Sequence, residues 1–216
     1  MPEILKVDAD NSEERILTRA AEILANGGII AYPTETFYGL GADATNEKAI
    51  QKIFAAKGRA FKNSISLIIG QTDDIYPLVQ DVPQTARKLM AEFWPGALTI
   101  VFPAANNVSP LLTAGSGKIG LRVSSHPIAI GIVQKLKRPI TATSANLSGA
   151  SECTRASEVA KQIGDKIDAI VDLGSTPGTA GSTIIDVTCN PPLILREGTI
   201  SRKKIEKYIL YHSPGR

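Results

Sequence analysis

Tyr32-Pro-Thr-Glu-Thr-Phe-Tyr-Gly-Leu-Gly41, followed by Lys57-Gly-Arg59, is the pair of segments around which the chain is organised. The apolar run Gly28-Ile-Ile-Ala-Tyr32 reads as a strand that stops at Pro33, which has no amide hydrogen to give to a ladder. Beyond it, Thr34, Glu35, Thr36 and Tyr38 put hydroxyls and a carboxylate on a polar loop. Gly39 and Gly41 allow close approaches there that a β-carbon would block. Ala49, Ile50, Ile53 and Phe54 then recur at helical spacing, and a helix capped by Gly58 delivers Lys57 and Arg59 at its C-terminal end. A hydroxyl-rich loop and two cations are thereby brought together.

The elements around this centre alternate. Asn11 or Ser12 caps a first helix with Ile16, Ala20, Ile23 and Leu24 on one face, ended by Asn26-Gly-Gly28. Ile65-Ser-Leu-Ile-Ile69, Leu98-Thr-Ile-Val-Phe102 and Ile119-Gly-Leu-Arg-Val123 read as strands, with a helix from Pro83 to Phe93 between the first two. Residues 103–118 are rich in Asn, Ser, Gly and Pro and read as one long loop. Pro127 opens a helix that ends in Lys135-Leu-Lys-Arg-Pro139, a basic cluster that complements a helix dipole. Ile140-Thr-Ala-Thr143 reads as a strand, Val159, Ala160 and Ile163 as a helix, and Ala169-Ile-Val-Asp-Leu173 as a further strand. Thr183-Ile-Ile-Asp-Val187 and Leu193-Ile-Leu-Arg196 are joined by a link too short for a parallel crossover. Ser201 caps a last helix. The expectation is an α/β protein, one domain over residues 1–211 with a short tail at 212–216, built on a twisted mixed parallel/antiparallel sheet flanked by helices.

Composition narrows the function. The net charge of +3 accompanies many carboxylates and is too mild to imply nucleic acid by itself. Cys153 and Cys189 form no CxxC pattern and read as two buried structural thiols; with only two histidines, His126 and His212, no protein-caged metal is expected. Neither a leader nor an uninterrupted apolar span is visible, so a cytoplasmic protein without membrane contact is expected.

Three loops rich in Gly, Ser and Thr, over residues 34–41, 144–149 and 174–182, accompany isolated cations at Lys57, Arg59, Arg122 and Arg196. Phosphates call for this combination, because several oxygens must be hydrogen-bonded while their charge is offset. Ordinary surface turns share the composition, and neither GxxxxGK[ST] nor GxGxxG is present. Phe93 and Trp94 read as core or loop anchors rather than a base-stacking platform, and His126 beside Pro127 as a helix-start contact rather than a base.

The ordered blocks Pro33-Thr-Glu-Thr-Phe-Tyr-Gly-Leu-Gly41, Lys57-Gly-Arg59, Trp94-Pro-Gly-Ala-Leu-Thr99, Leu121-Arg-Val123, Thr143-Ser-Ala-Asn-Leu-Ser-Gly149, Ser182-Thr183 and Leu195-Arg196 resemble the YrdC-like family, specifically its L-threonylcarbamoyladenylate synthases. The resemblance implies a YrdC-like fold with a concave basic groove. It also implies an enzyme that joins L-threonine, bicarbonate and ATP, with Mg²⁺, into threonylcarbamoyl-AMP and pyrophosphate. The product would pass to tRNA threonylcarbamoyl transferase proteins that modify adenosine 37. The family's KxR…SxN signature falls on Lys57, Arg59, Ser144 and Asn146, which the resemblance assigns to the nucleotide together with Ser182 and Arg196; Lys57 and Arg59 are the candidate catalytic cations. Threonine recognition maps to Thr34, Tyr38, Arg122 and Thr143. Glu35 and Asp43 are available as a base, and Glu35 can equally support its loop.

The chain departs from the family where Ala60 replaces a common proline and Ile68 a common histidine. Its length implies the single-domain type. The alternative reading is a double-stranded RNA-binding module of the YciO kind without synthase activity.

Overall fold

A computed structural model describes residues 1–6, 12–58 and 63–209. In chain order these form β1 (Glu3–Lys6), α1 (Glu13–Ala25), β2 (Ile30–Tyr32), β3 (Gly39–Gly41), α2 (Glu47–Lys57), β4 (Leu67–Ile68) and α3 (Gln84–Phe93). There follow β5 (Leu98–Pro103), α4 (Pro110–Thr113), β6 (Lys118–Arg122), α5 (Pro127–Leu136), β7 (Ile140–Thr141), β8 (Thr143–Ser144) and α6 (Ala156–Ile163). β9 (Ala169–Asp172), β10 (Thr183–Asp186), β11 (Leu193–Arg196) and α7 (Arg202–Ile209) complete the described chain.

The helices start where local chemistry predicts. Ser12 Oγ accepts the Arg15 amide and Asn46 Oδ1 the Ala49 amide, each meeting an orphan N–H of a first turn. Gly58, left-handed at φ 59°, closes α2. At α5 the cap is His126, whose Nδ1 accepts the Ile128 amide at 3.3 Å; this is the helix-start contact expected of it. The alternative cap Asn11 and the tail at 212–216 lie outside the described residues.

The mixed sheet expected from the sequence is realised as two. One has the order β1-β9-β2-β3-β8, the other β11-β10-β5-β6-β4-β7. Each combines parallel and antiparallel neighbours: β2 runs parallel to β9 and antiparallel to β3, and β10 parallel to β5 and antiparallel to β11. The predicted strand Ile140–Thr143 is divided between them. β7 pairs with β4 in the six-stranded sheet and β8 with β3 in the five-stranded one, so the chain crosses from sheet to sheet at Ala142.

Two apolar clusters hold the layers. The larger takes in Tyr38, Leu40, Ile53, Phe54, Ile100, Phe102 and Leu121; the smaller packs Leu17, Ala20 and Leu24 of α1 and Ile128 and Ile132 of α5 against Ile30, Tyr32 and Val171. Trp94 is buried and its Nε1 donates to the Leu98 carbonyl at 2.7 Å, while Phe93 meets Tyr208 edge-on at 5.3 Å. Both aromatics are therefore anchors. Among the basic residues closing α5, Lys135 pairs with Glu14 and Arg138 with the buried Asp43.

Several expectations need correction. The polar loop after Pro33 is shorter than its composition implies, because Gly39–Gly41 form β3 and pair with β2 in the register Tyr32↔Gly39. Residues 103–118 contain α4, started by Ser109 Oγ accepting the Leu111 amide. β1 is a strand that no sequence pattern marked. Cys153 is buried, but Cys189 is exposed, in the turn between β10 and β11. Among the described residues no helix is long and apolar enough to cross a membrane.

Candidate active site

The chain's sheet-to-sheet crossing opens a cavity of about 240 Å³, a little below the ~300 Å³ at which small-molecule pockets begin. Its wall includes Thr34 and Tyr38 from the first loop, Arg122 at the end of β6, Thr143 and Ser144 of β8, Ser182 just before β10, and Arg196 at the end of β11. Seven candidate residues scattered from 34 to 196 in sequence thus converge.

Tyr32 forms the floor. It is fully buried, its hydroxyl donates to the Thr141 carbonyl at 2.9 Å, and its ring lies against β3 at Gly39 and Gly41. Burial raises its phenol far above the ordinary range, so it remains a neutral donor. The close approach expected of the two glycines is therefore to this ring.

The loop hydroxyls are already engaged. Thr34 Oγ1 donates to the Phe37 carbonyl at 2.7 Å and accepts the Thr36 amide at 3.1 Å, a local turn that sets the loop's shape. Tyr38 donates to the Gly174 carbonyl at 2.8 Å, fastening the first polar loop to the third. Burial, reinforced by Asp172, pushes this phenol up to about 12. Both residues still line the cavity, with their bonding directed in large part at the protein.

Arg122 carries the clearest unmet demand. Its side chain is 7% exposed, its Nη1 stands 3.7 Å from Glu35 Oε1, and its Nε is buried without a hydrogen-bond partner, as is Glu35 Oε1. Glu35 Oε2 accepts from Ser124 Oγ. Of the two carboxylates considered as a base, Glu35 supports Arg122 beside the cavity. Asp43 is consumed by Arg138 and by the Thr45 amide and hydroxyl.

The second cation is Arg196, whose Nε and Nη2 donate to the Ser182 carbonyl at 3.1 and 2.8 Å, with Nη2 also 3.2 Å from Ser182 Oγ. Ser182 Oγ is in turn 3.0 Å from Thr99 Oγ1. Arg196 is exposed overall, and the partial desolvation of its guanidinium pulls it below its ordinary value; Glu152 opposes this and Arg122 adds to it. Two like charges thus share one cavity, an arrangement that an anion between them relieves.

The KxR…SxN residues divide between the wall and the space behind it. Ser144 lines the cavity, whereas Lys57 and Asn146 are buried behind it and are not among its lining residues. Arg59 lies outside the described residues. Sequence reasoning missed Tyr32, Ser66, Thr99 and Glu152 as wall residues. Thr99 had a signal, as the lone polar residue of Leu98-Thr-Ile-Val-Phe102; Tyr32 ends an apolar strand and heads the polar stretch, but nothing in the sequence shows that its own side chain faces the cavity.

The sequence matches the family described as Sua5/YciO/YrdC, "Telomere recombination", over residues 22–198. It is 40% identical over 197 residues to the threonylcarbamoyl-AMP synthase of Pyrococcus abyssi, covering 91% of this chain and 58% of that one. It is 39% identical over 168 residues to the threonylcarbamoyl-AMP synthase of Idiomarina loihiensis, covering 77% and 90%. A crystal structure of P. abyssi Sua5 complexed with L-threonine superposes with a TM-score of 0.91 at 37% identity, over 97% of this chain and 61% of that one. The chain therefore spans little more than half the length of the P. abyssi relative but nearly all of the Idiomarina one. The family match over residues 22–198 and the fold shared with the P. abyssi structure agree: the chain belongs to the Sua5/YciO/YrdC family.

Proposed function

We propose that this chain is an L-threonylcarbamoyladenylate synthase, a nucleotidyltransferase that makes threonylcarbamoyl-AMP and pyrophosphate from L-threonine, bicarbonate and ATP. The observation that carries the reading is the pairing of Arg122 and Arg196 in one hydroxyl-lined cavity, which calls for an anionic ligand with more than one charged group. Relatives named for this activity, and a threonine complex of one of them, support it.

In this reading Arg122 receives the amino acid's carboxylate, which its unpartnered Nε and planar donor fork suit. Thr34, Tyr38 and Thr143 shape the threonine side of the cavity. Ser144, Ser182 and Arg196 hold phosphate oxygens, with Arg59 as a further cation by its place in the signature. The threonine amine bonds to the bicarbonate carbon with loss of water. A carbamate oxygen then attacks the α-phosphorus, and the bond to pyrophosphate breaks. The protein's part is positioning and charge stabilisation in a site that Tyr32 floors and the loops enclose.

Glu152 is the carboxylate among the cavity-lining residues, and the described residues bring no three His, Cys, Asp or Glu side chains together. That donor set fits Mg²⁺ carried in on nucleotide oxygens, since magnesium takes one or two carboxylates, phosphates and waters. When bound, it would offset triphosphate charge.

The product's mixed anhydride suits consumption by tRNA threonylcarbamoyl transferase proteins, and a cytoplasmic site of action accords with those substrates. The RNA-binding alternative is weaker, because Arg122 is buried in the cavity wall and Arg196, although exposed, is tied by hydrogen bonds to Ser182 at the same cavity. The test is pyrophosphate release from ATP: dependence on both threonine and bicarbonate supports the proposal, and release indifferent to either rejects it.

A further inference from the structure

The geometry points to Lys57 as a positioning residue that reaches the reaction through the Ser144–Asn146 turn instead of through a phosphate. This rests on the nucleotide reading of the cavity above.

Lys57 is the last residue of α2 and is 4% exposed. Its ammonium has three N–H donors, and three acceptors of one turn meet it: the Ser144 carbonyl, the Asn146 carbonyl at 2.9 Å and Asn146 Oδ1 at 3.1 Å. The same residue's backbone carbonyl accepts the Ser148 amide at 3.0 Å. The turn is thus gripped from α2 by both ends of one residue.

Asn146 relays the hold. Its Oδ1 accepts from Ser144 Oγ at 2.6 Å while its Nδ2 donates to the Ala150 carbonyl at 2.6 Å. This fixes which way Ser144 presents its hydroxyl to the cavity. Ser144 is also the residue of β8 that pairs with Gly39, so its placement sets the cavity wall on the β3 side as well. Lys57 and Asn146 themselves stand behind that wall. For the ammonium to meet a phosphate it would have to leave charge-assisted hydrogen bonds inside the protein, which are about twice as strong as neutral ones. Holding the turn is the role its present bonds perform.

Two measurements test this. In ligand-free protein, amide hydrogen exchange over residues 144–150 is expected to accelerate at least tenfold in Lys57→Met, with exchange across α2 unchanged. Asn146→Ala is expected to accelerate the same stretch, and it serves as the test if Lys57→Met does not fold. Wild-type exchange in a folded variant overturns the proposal. In ATP titrations, Lys57→Met and Asn146→Ala should each weaken binding, and the double variant should bind no worse than the weaker single one, as for residues acting in one chain. Losses that multiply overturn it, as does a loss with Lys57→Met alone. If the wild-type protein binds no ATP, the nucleotide reading falls, and the exchange measurement still decides what Lys57 does.

Discussion

The ring of Tyr32 occupies the space that a side chain at position 41 would need: a β-carbon on Gly41 would lie 2.8 Å from Tyr32 Cε1, and one on Gly39 2.9 Å from Cζ. The two glycines of the first polar block are thus the negative image of the cavity floor, and β3 can pair with β2 only because they are small. Gly41→Ala is expected to cost about 1–3 kcal/mol, the usual penalty for overpacking. Urea unfolding of Gly41→Ala, Tyr32→Leu and the double variant checks it; the double variant should recover part of the loss, and strict additivity would show that the ring is not the obstacle.

Glu35 and Arg122 are coupled in the same way across the cavity wall. With side chains only 15% and 7% exposed, removal of the carboxylate leaves a buried guanidinium facing no counter-charge. Glu35→Ala should destabilise the fold by about 3 kcal/mol and raise the KM for threonine. Thermal unfolding and steady-state kinetics measure the two effects. A variant with unchanged stability and KM would show that Arg122 needs no support from Glu35.

His126 gives the pH dependence a definite sign. Its Nδ1 must be unprotonated to cap α5, and burial lowers its pKa while Glu35 and Glu13 oppose the shift. A lowered folded value means that the unfolded chain takes up the proton first. Stability is therefore full above the unfolded value of about 6.5 and is lost as pH falls through the window below it. His126→Asn keeps a capping oxygen and removes the titration, so melting temperature followed from pH 7.5 to 5 should fall less steeply than in the wild type. Parallel curves would count against the assignment.

Much of this was legible in the sequence, because caps and periodicities are local. Ser12, the Ala49-to-Phe54 spacing closed by Gly58, and Pro127 marked helices that the structure contains. The division into two sheets was not legible. It turns on Ala142, a single residue between β7 and β8, and nothing in Ile140-Thr-Ala-Thr143 distinguishes a strand that changes sheets from one that continues. The site residues were found through hydroxyls and cations in ordered blocks, which identified Arg122, Ser144, Ser182 and Arg196 as cavity residues. What escaped was direction. Lys57 and Asn146 belong to the same signature as Ser144, yet their side chains bond to one another, a fact that depends on where α2 ends relative to β8.

The most direct test of the central claim is mass spectrometry of the nucleotide products after incubation with ATP, L-threonine, bicarbonate and Mg²⁺. The account predicts threonylcarbamoyl-AMP together with pyrophosphate, both absent when threonine or bicarbonate is omitted. Folded protein that leaves ATP intact under these conditions, while binding double-stranded RNA with the salt sensitivity of a phosphate-backbone contact, would contradict it.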